Sequence, residues 1–343
     1  MNITGTIHPA AQKKSVHGPK LRNIGTSIGI IIILIIWLVP TVGLLVTSFR
    51  PLALINTTGW WTALDVNNGP ASSQNLDPDA TYVEKLQTRF TIDNYVDALT
   101  GYRGTGTYRQ ACASGTKPLG MNCDLSDLLN PRGMGRAFVN SIIVTIPSTI
   151  LPIIIGLFAA YAFAWMDFKG RYVIFALLVG LQVVPIQMTL VPVLRMFAGM
   201  GINGTFPAVW LFHTGFGLPY AIYMLRNSMS SLPKELFESA YLDGAGHWQI
   251  FTKIVLPLTT PAIASLAIFQ FLWVWNDLLV SLVFLGGQKP VMTYQISNMV
   301  TSLGAGWHLL TAAAFLSMLL PMIVFFALQK YFVRGMMSGA VKG

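Results

Sequence analysis

"ELFESAYLDGAGHWQIFTKIVLPL", residues Glu235 to Leu258, interrupts a very apolar chain with charges, a Gly-Ala-Gly turn and a Leu-Pro pair. How this stretch is read decides the fold. Pro233 suits the first turn of a helix, where its missing N–H costs nothing. Glu235 and Glu238 follow, and acids near a helix start complement the macrodipole. Leu236, Phe237, Ala240 and Tyr241 recur at helical spacing and make an apolar stripe. Asp243-Gly244 stops the helix. A second segment starts after the turn, and Pro257 opens an apolar climb. The stretch therefore predicts a helix, a turn and a helix. It is too polar to cross a membrane and too ordered for a linker. A helix resting on lipid favours Lys and Arg on its polar face, whereas two glutamates lead this one. A cytoplasmic protein partner fits it better.

The surrounding chain has 343 residues, is 53% hydrophobic and only 10% charged. Soluble domains carry about 25% charged residues, so the shortage points to lipid. A membrane-crossing helix needs about 20 mostly apolar residues. Six such runs occur: Ile24 to Phe49, Phe138 to Trp165, Tyr172 to Val191, Phe206 to Leu225, Pro261 to Leu285 and Thr311 to Phe332. The first is too long for a signal-peptide core, and no small-x-small cleavage site follows it. The expected fold is an all-α membrane protein of six transmembrane helices. It has short cytoplasmic helices between helices 4 and 5 and an enlarged extracellular loop between helices 1 and 2. The expected divisions are a tail at 1–23, helix 1 at 24–49, a cap at 50–136, the remaining helices at 137–334 and a second tail at 335–343. The helix–turn–helix occupies 232–257. Pro40, Pro147, Pro152, Pro185, Pro219 and Pro321 lie within the runs. Each frees a carbonyl that a neighbour must satisfy in lipid, so the helices are expected to form one bundle.

The net charge of +9 is distributed by topology. The N-terminal tail holds Lys13, Lys14, Lys20 and Arg22, the 2–3 turn Lys169 and Arg171, and the 4–5 segment Arg226, Lys234 and Lys253. The C-terminal end holds Lys330, Arg334 and Lys342. The opposite short loops hold only Arg195 and Lys289. Cytoplasmic loops carry the Lys/Arg excess, so both termini are expected in the cytoplasm and the cap outside. This pattern argues against nucleic acid, which would need the charge on one soluble face.

Cys112 and Cys123 both fall in the cap, on the oxidising side where disulfides persist. A disulfide between them is expected. With no histidine near and only two cysteines, a metal site is not. Within the cap, "FTIDNYVDAL" (Phe90 to Leu99) has helical spacing with Thr91 or Asp93 as its cap, and "GYRGTGTYRQ" (Gly101 to Gln110) looks like loop.

No enzyme constellation emerges. The five histidines are His8, His17, His213, His247 and His308, with no H-E-x-x-H and no G-x-S-x-G. His213 in run 4 is open to two readings, a functional ring inside a bundle or a hydrogen-bonded structural one. In run 5, "FQFLWVWNDLLVS" places Gln270, Asn276 and Asp277 beside Trp273 and Trp275. Indole faces beside amide and carboxylate groups suit a sugar; an aromatic belt near the outer headgroups fits the same residues. His213 and Tyr220 of run 4 with Gln270, Trp273, Asn276 and Asp277 are the candidate substrate path.

The opening stretch resembles a known signature. "ESAYLDGAGHWQIFTKIVLPL" is similar to the E-A-A-x-x-D-G-A…I-x-L-P element of permease subunits of binding-protein-dependent ABC importers. Glu238, Ala240, Asp243, Gly244, Ala245, Ile254, Leu256 and Pro257 match it, and Ser239 replaces an alanine. "NYVDAL", "FVNSIIV", "AAYAFAWMDFKGR", "FGLPYAIYMLRNSMSSLPKEL" and "WND" resemble the carbohydrate-uptake, maltose-permease-like branch, as does the ending "VRGMMSGAVKG". The resemblance covers about 24–55 and 85–343; the insertions around 56–85 and 101–130 exceed a typical member. It implies a permease of a prokaryotic plasma membrane, with Glu238 to Gly246, including Ser239, Ala240, Asp243, Gly244 and Ala245, seated in a cleft of a separate ATPase. ATP and magnesium would be bound by that ATPase dimer and no cofactor by this chain, which has no Walker A loop. Further implied partners are a second, related permease, an extracellular solute-binding protein that the Gly286–Leu310 loop can reach, and a sugar such as an α-glucoside, trehalose or an oligosaccharide. The alternative is an ion-coupled carrier or channel. It calls for buried acids or broken helices in two corresponding halves; only Asp277 qualifies, and no internal repeat is visible.

Overall fold

The computed structural model describes residues 22–66, 81–104, 106–115, 117–299 and 306–340, and among these there is no strand. The N-terminal tail with Lys13, Lys14 and Lys20, and Lys342 at the other end, lie outside the described residues. The chain divides into two compact units, Met1–Leu44 and Leu45–Gly343. The first is, in its described part, most of helix α1 (Arg22–Ser48), whose apolar side chains from Ile30 to Val39 are all exposed.

The second unit begins with the cap. Its helix α2 (Asp93–Thr100) opens where the spacing predicts, with the Thr91 hydroxyl accepting the Asp93 N–H at 3.0 Å. Gly101 to Gly104 and Gly106 to Thr107 are loop as expected, but a short helix starts at Tyr108, because Thr107 and Gln110 form a reciprocal capping box. Then come α3 (Met134–Trp165), α4 (Arg171–Leu181), α5 (Ile186–Gly199), α6 (Phe206–Ser230), α7 (Lys234–Leu242), α8 (His247–Trp275), α9 (Leu279–Leu285), α10 (Met292–Met299) and α11 (Trp307–Ala340).

Among the described residues, four helices are long and apolar enough to cross a membrane, α1, α3, α8 and α11, or five if α4 and α5 count as one span. The third expected run is not straight. α4 and α5 meet at 100° around Gln182 to Pro185, since a residue before proline is driven out of helical geometry. The fifth run also breaks. α8 ends at Trp275 and α9 starts at Leu279, with Asp277 between them. The fourth, α6, has 25 residues but is diluted by His213, Thr214, Gly215 and Gly217.

α3, α6 and α8 pack on one another, and α11 packs on α8. The prolines explain how these helices are tied. Pro147 frees the Ile143 carbonyl, which accepts the Trp210 indole N–H at 2.8 Å. Pro152 frees the Ser148 carbonyl, which accepts from Gln270 Nε2 at 3.2 Å. Pro321 frees the Ser317 carbonyl, which accepts from Trp275 at 3.0 Å. Each proline cannot bond back four residues, so an intrahelical bond becomes an interhelical one. At Pro257 the helix adapts differently: Phe251 to Val255 form a π turn directly before it, widening the backbone where the ring would clash. α8 therefore runs unbroken from His247, rather than starting afresh at Pro257.

Candidate functional site

The helix–turn–helix forms as the sequence predicts, with one shift. Pro233 sits just before α7, so Glu235 falls in the first turn and Glu238 one turn later. The turn is closed by main-chain bonds. Ala245 N–H donates to Ala240 O at 2.9 Å and Gly244 N–H to Tyr241 O at 3.0 Å. This pair is a Schellman motif, which needs a left-handed residue at its corner, and Gly244 supplies φ +77°. A Cβ on Gly244 would meet nothing within 4 Å. Glycine is thus needed within this chain for its backbone and not for space.

Only part of the expected apolar stripe turns inward. Phe237 is 2% exposed and Ala240 is half-buried, while Leu236 and Tyr241 are exposed. The seat is one face of α3, built from Phe158, Tyr161 and Trp165. These lie three and four residues apart and so share a helix face. The Trp165 ring stacks on Phe237 with centroids 3.5 Å apart, and its N–H donates to Met229 O at 3.1 Å. Tyr161 Oη lies 3.1 Å from His247 Nδ1, which is 3.2 Å from Tyr241 Oη. Phe158 packs on Phe251 at 5.2 Å and lies parallel to Trp248. The outer side stays open: Glu238, Ser239 and Asp243 are exposed, Leu242 is 90% exposed and Trp248 66%. Glu238 makes no ion pair among the described residues. The aromatic face of α3 escaped the sequence reading, though its spacing is visible in "FAAYAFAW".

A second constellation gathers most of the candidate substrate-path residues. Tyr220, Gln270 and Trp273 line a cleft of about 310 Å³ together with Phe216, Gly217 and Phe269. Gly217 makes room for the amide, since a Cβ there would lie 2.5 Å from Gln270 Nε2. A neighbouring hollow of about 670 Å³ shares Tyr220 and Trp273 and reaches the α4–α5 break. Behind the wall stands His213, fully buried, its ring perpendicular to Trp273 at 5.1 Å. His213 Nε2 is 3.8 Å from Asp277 Oδ2, too far for a hydrogen bond. Asp277 caps α9 instead, accepting from the N–H groups of Val280 at 3.0 Å and Ser281 at 3.2 Å. Asn276 does not line the cleft; its amide bonds back to Leu272 O at 2.9 Å.

In the cap, Cys112 and Cys123 are joined by a disulfide with Cα atoms 5.6 Å apart. Beside it Asp127 is buried. Burial works against its charge, but the N–H groups of Asn122 and Cys123 and the Tyr108 hydroxyl outweigh it and hold the carboxyl below its ordinary range.

Residues 152–338 match the family described as "Binding-protein-dependent transport system inner membrane component". The chain belongs to that family. It is a transport component rather than an enzyme, and the family holds the turn, the α3 face from 158 to 165 and the cleft. Membership removes the carrier or channel alternative. Among its relatives, the chain is 47% identical over 318 residues to an osmoprotective compounds uptake permease protein of Synechocystis sp., covering 92% of this chain and 91% of that one. It is 40% identical to the alpha-glucoside transport system permease protein of Rhizobium meliloti, covering 92% and 96%. The fold is similar to a chain in the crystal structure of a bacterial ABC transporter involved in the import of alginate, with TM-score 0.61, 17% identity, and 95% of this chain and 100% of that one covered.

Proposed function

We propose that this permease is one of two related membrane subunits of an ATP-driven importer for a neutral glucoside, and that the 234–250 unit docks into its ATPase. The observation that carries the docking is the contrast within that unit. Its shape is fixed from inside by the Schellman bonds and the Phe237–Trp165 stack, while its outer face presents Glu238, Leu242 and Asp243 to solvent. A rigid element with an open face transmits a push; a loop would absorb it. ATP and magnesium belong to the partner ATPase. The one-sided Lys/Arg bias of the short loops supports six spans with both termini and the turn in the cytoplasm. The cap then faces outward, where a solute-binding protein delivers the sugar.

The Tyr220–Gln270–Trp273 wall supports a sugar as cargo. Aromatic faces cover the apolar C–H faces of a pyranose ring, and one amide serves its hydroxyls. The relatives named above include an α-glucoside permease, which narrows the class.

The test is purification of the complex with ATP-driven uptake of a radiolabelled α-glucoside. The wild type should carry an ATPase and a second permease. Glu238→Lys should keep the fold and lose the ATPase and uptake together, because a reversed charge at a docked pair costs several kcal/mol. Full uptake with stoichiometric ATPase in that variant would sink the docking assignment.

A further inference from the structure

Resting on that reading, we propose that the turn drives the bundle sideways through α3, with His247 as a positioning residue that pins the turn to Tyr161. The chain itself offers two other routes, since α7 follows α6 and the turn leads directly into α8. The contacts favour α3. All three parts of the unit rest on one α3 face: α7 through Phe237 on Trp165, the turn through His247 and Tyr241 at Tyr161, and the start of α8 through Phe251 on Phe158. Tyr161 also packs on Phe251 at 5.3 Å. From Tyr161 the same helix reaches Ser148, whose carbonyl holds the cleft residue Gln270 at 3.2 Å. Thirteen residues of helix separate the two, about 20 Å at 1.5 Å per residue.

His247 links both tyrosines in this seat, where the Trp165 N–H also donates to Met229 O. Its Nδ1 lies within 3.1 Å of one tyrosine hydroxyl and 3.2 Å of the other. A ring nitrogen has one in-plane direction, either a lone pair or an N–H, so it makes one good hydrogen bond at a time. The imidazole is shared between Tyr161 on α3 and Tyr241 on α7. A small shift of α7 against α3 passes the bond from one to the other without leaving the nitrogen bare.

The experiment measures labelled α-glucoside moved per ATP hydrolysed by the whole importer in proteoliposomes. A residue that only stabilises the fold would lower protein yield or both rates together, not their ratio. His247→Phe, which keeps the ring packing, should lower the ratio by about three- to tenfold, the scale of one hydrogen bond, with ATPase still bound and hydrolysing. His247→Gln, which keeps a hydrogen-bonding group, should recover part of it. Tyr161→Phe and Tyr241→Phe should each lower the ratio less, and their double variant no further than His247→Phe, because all act through one nitrogen. An unchanged ratio in His247→Phe, or independent additive effects of the two tyrosines, would overturn the proposal. A wild-type complex lacking an ATPase would instead overturn the importer reading, and this inference with it.

Discussion

The cap turns its polar groups inward, whereas the 234–250 unit leaves its outer face unfinished. In the cap, Arg50 is fully buried and donates to the carbonyls of Leu54 and Thr58, and Arg89 donates to Thr62 O. Asp97 accepts the Tyr108 N–H, Asp127 collects three donors, and a disulfide closes the loop. In the 234–250 unit the packing comes from aromatic rings, and Leu242 and Trp248 remain exposed. The two regions are held differently: the cap by polar bonds within itself, although Trp61 and Leu119 stay exposed and Arg50 Nε and Arg89 Nη2 stay unbonded, and the 234–250 unit by ring packing, with Glu238 and Asp243 in no ion pair among the described residues.

The sharpest way to break this contrast is Phe237→Ala. If the stack on Trp165 is what seats the turn, removing a fully buried ring should cost about 3–5 kcal/mol, read as a fall in thermal midpoint and faster proteolysis near residue 240. A variant as stable as the wild type would mean the seat lies elsewhere. On the cap side, Cys112→Ser should cost about 2–3 kcal/mol through the freed loop, measured as cap unfolding with and without reductant, and it should leave ATPase binding untouched. Intact mass should show the bridge in the wild type; two free thiols would contradict it.

Gly244→Ala separates backbone from docking. The strain of φ +77° should cost about 1 kcal/mol, with no clash inside the chain. A loss of uptake much larger than the loss of stability would assign the excess to crowding against the ATPase. A pH-dependent effect is expected from Asp97→Asn. Burial pushes the Asp97 carboxyl up to about 6, against the pull of the Tyr108 N–H. Its folded value is raised above the ordinary value near 3.9, so the stability it contributes is full below about pH 4 and lost as pH rises through about 6. Asp127, held low, works the other way and loses its contribution as pH falls. Thermal midpoints from pH 4 to 7 should therefore move in favour of Asp97→Asn as pH rises, and a constant offset would refute the assignment.

Much of this was legible in the sequence. Hydropathy located the long helices, and Asp243-Gly244 located the turn to the residue. Prolines announced freed carbonyls without naming Trp210, Gln270 or Trp275 as their donors, because those partners lie far along the chain. The breaks at Gln182–Pro185 and at Asp277 were hidden inside apolar runs, where hydropathy does not register a bend. The α3 face at Phe158, Tyr161 and Trp165 was hidden for a related reason. In a helix that is apolar all round, a functional stripe has no polar background to stand out against.

The proline-freed carbonyls also bear on how the chain is made. α3 leaves the ribosome before its donors exist: Trp210 follows Ile143 by 67 residues and Gln270 follows Ser148 by 122. In lipid each bare carbonyl costs several kcal/mol. Until α6 and then α8 arrive, those two α3 carbonyls lack these donors, so the order of synthesis is also the order in which these interhelical bonds can close.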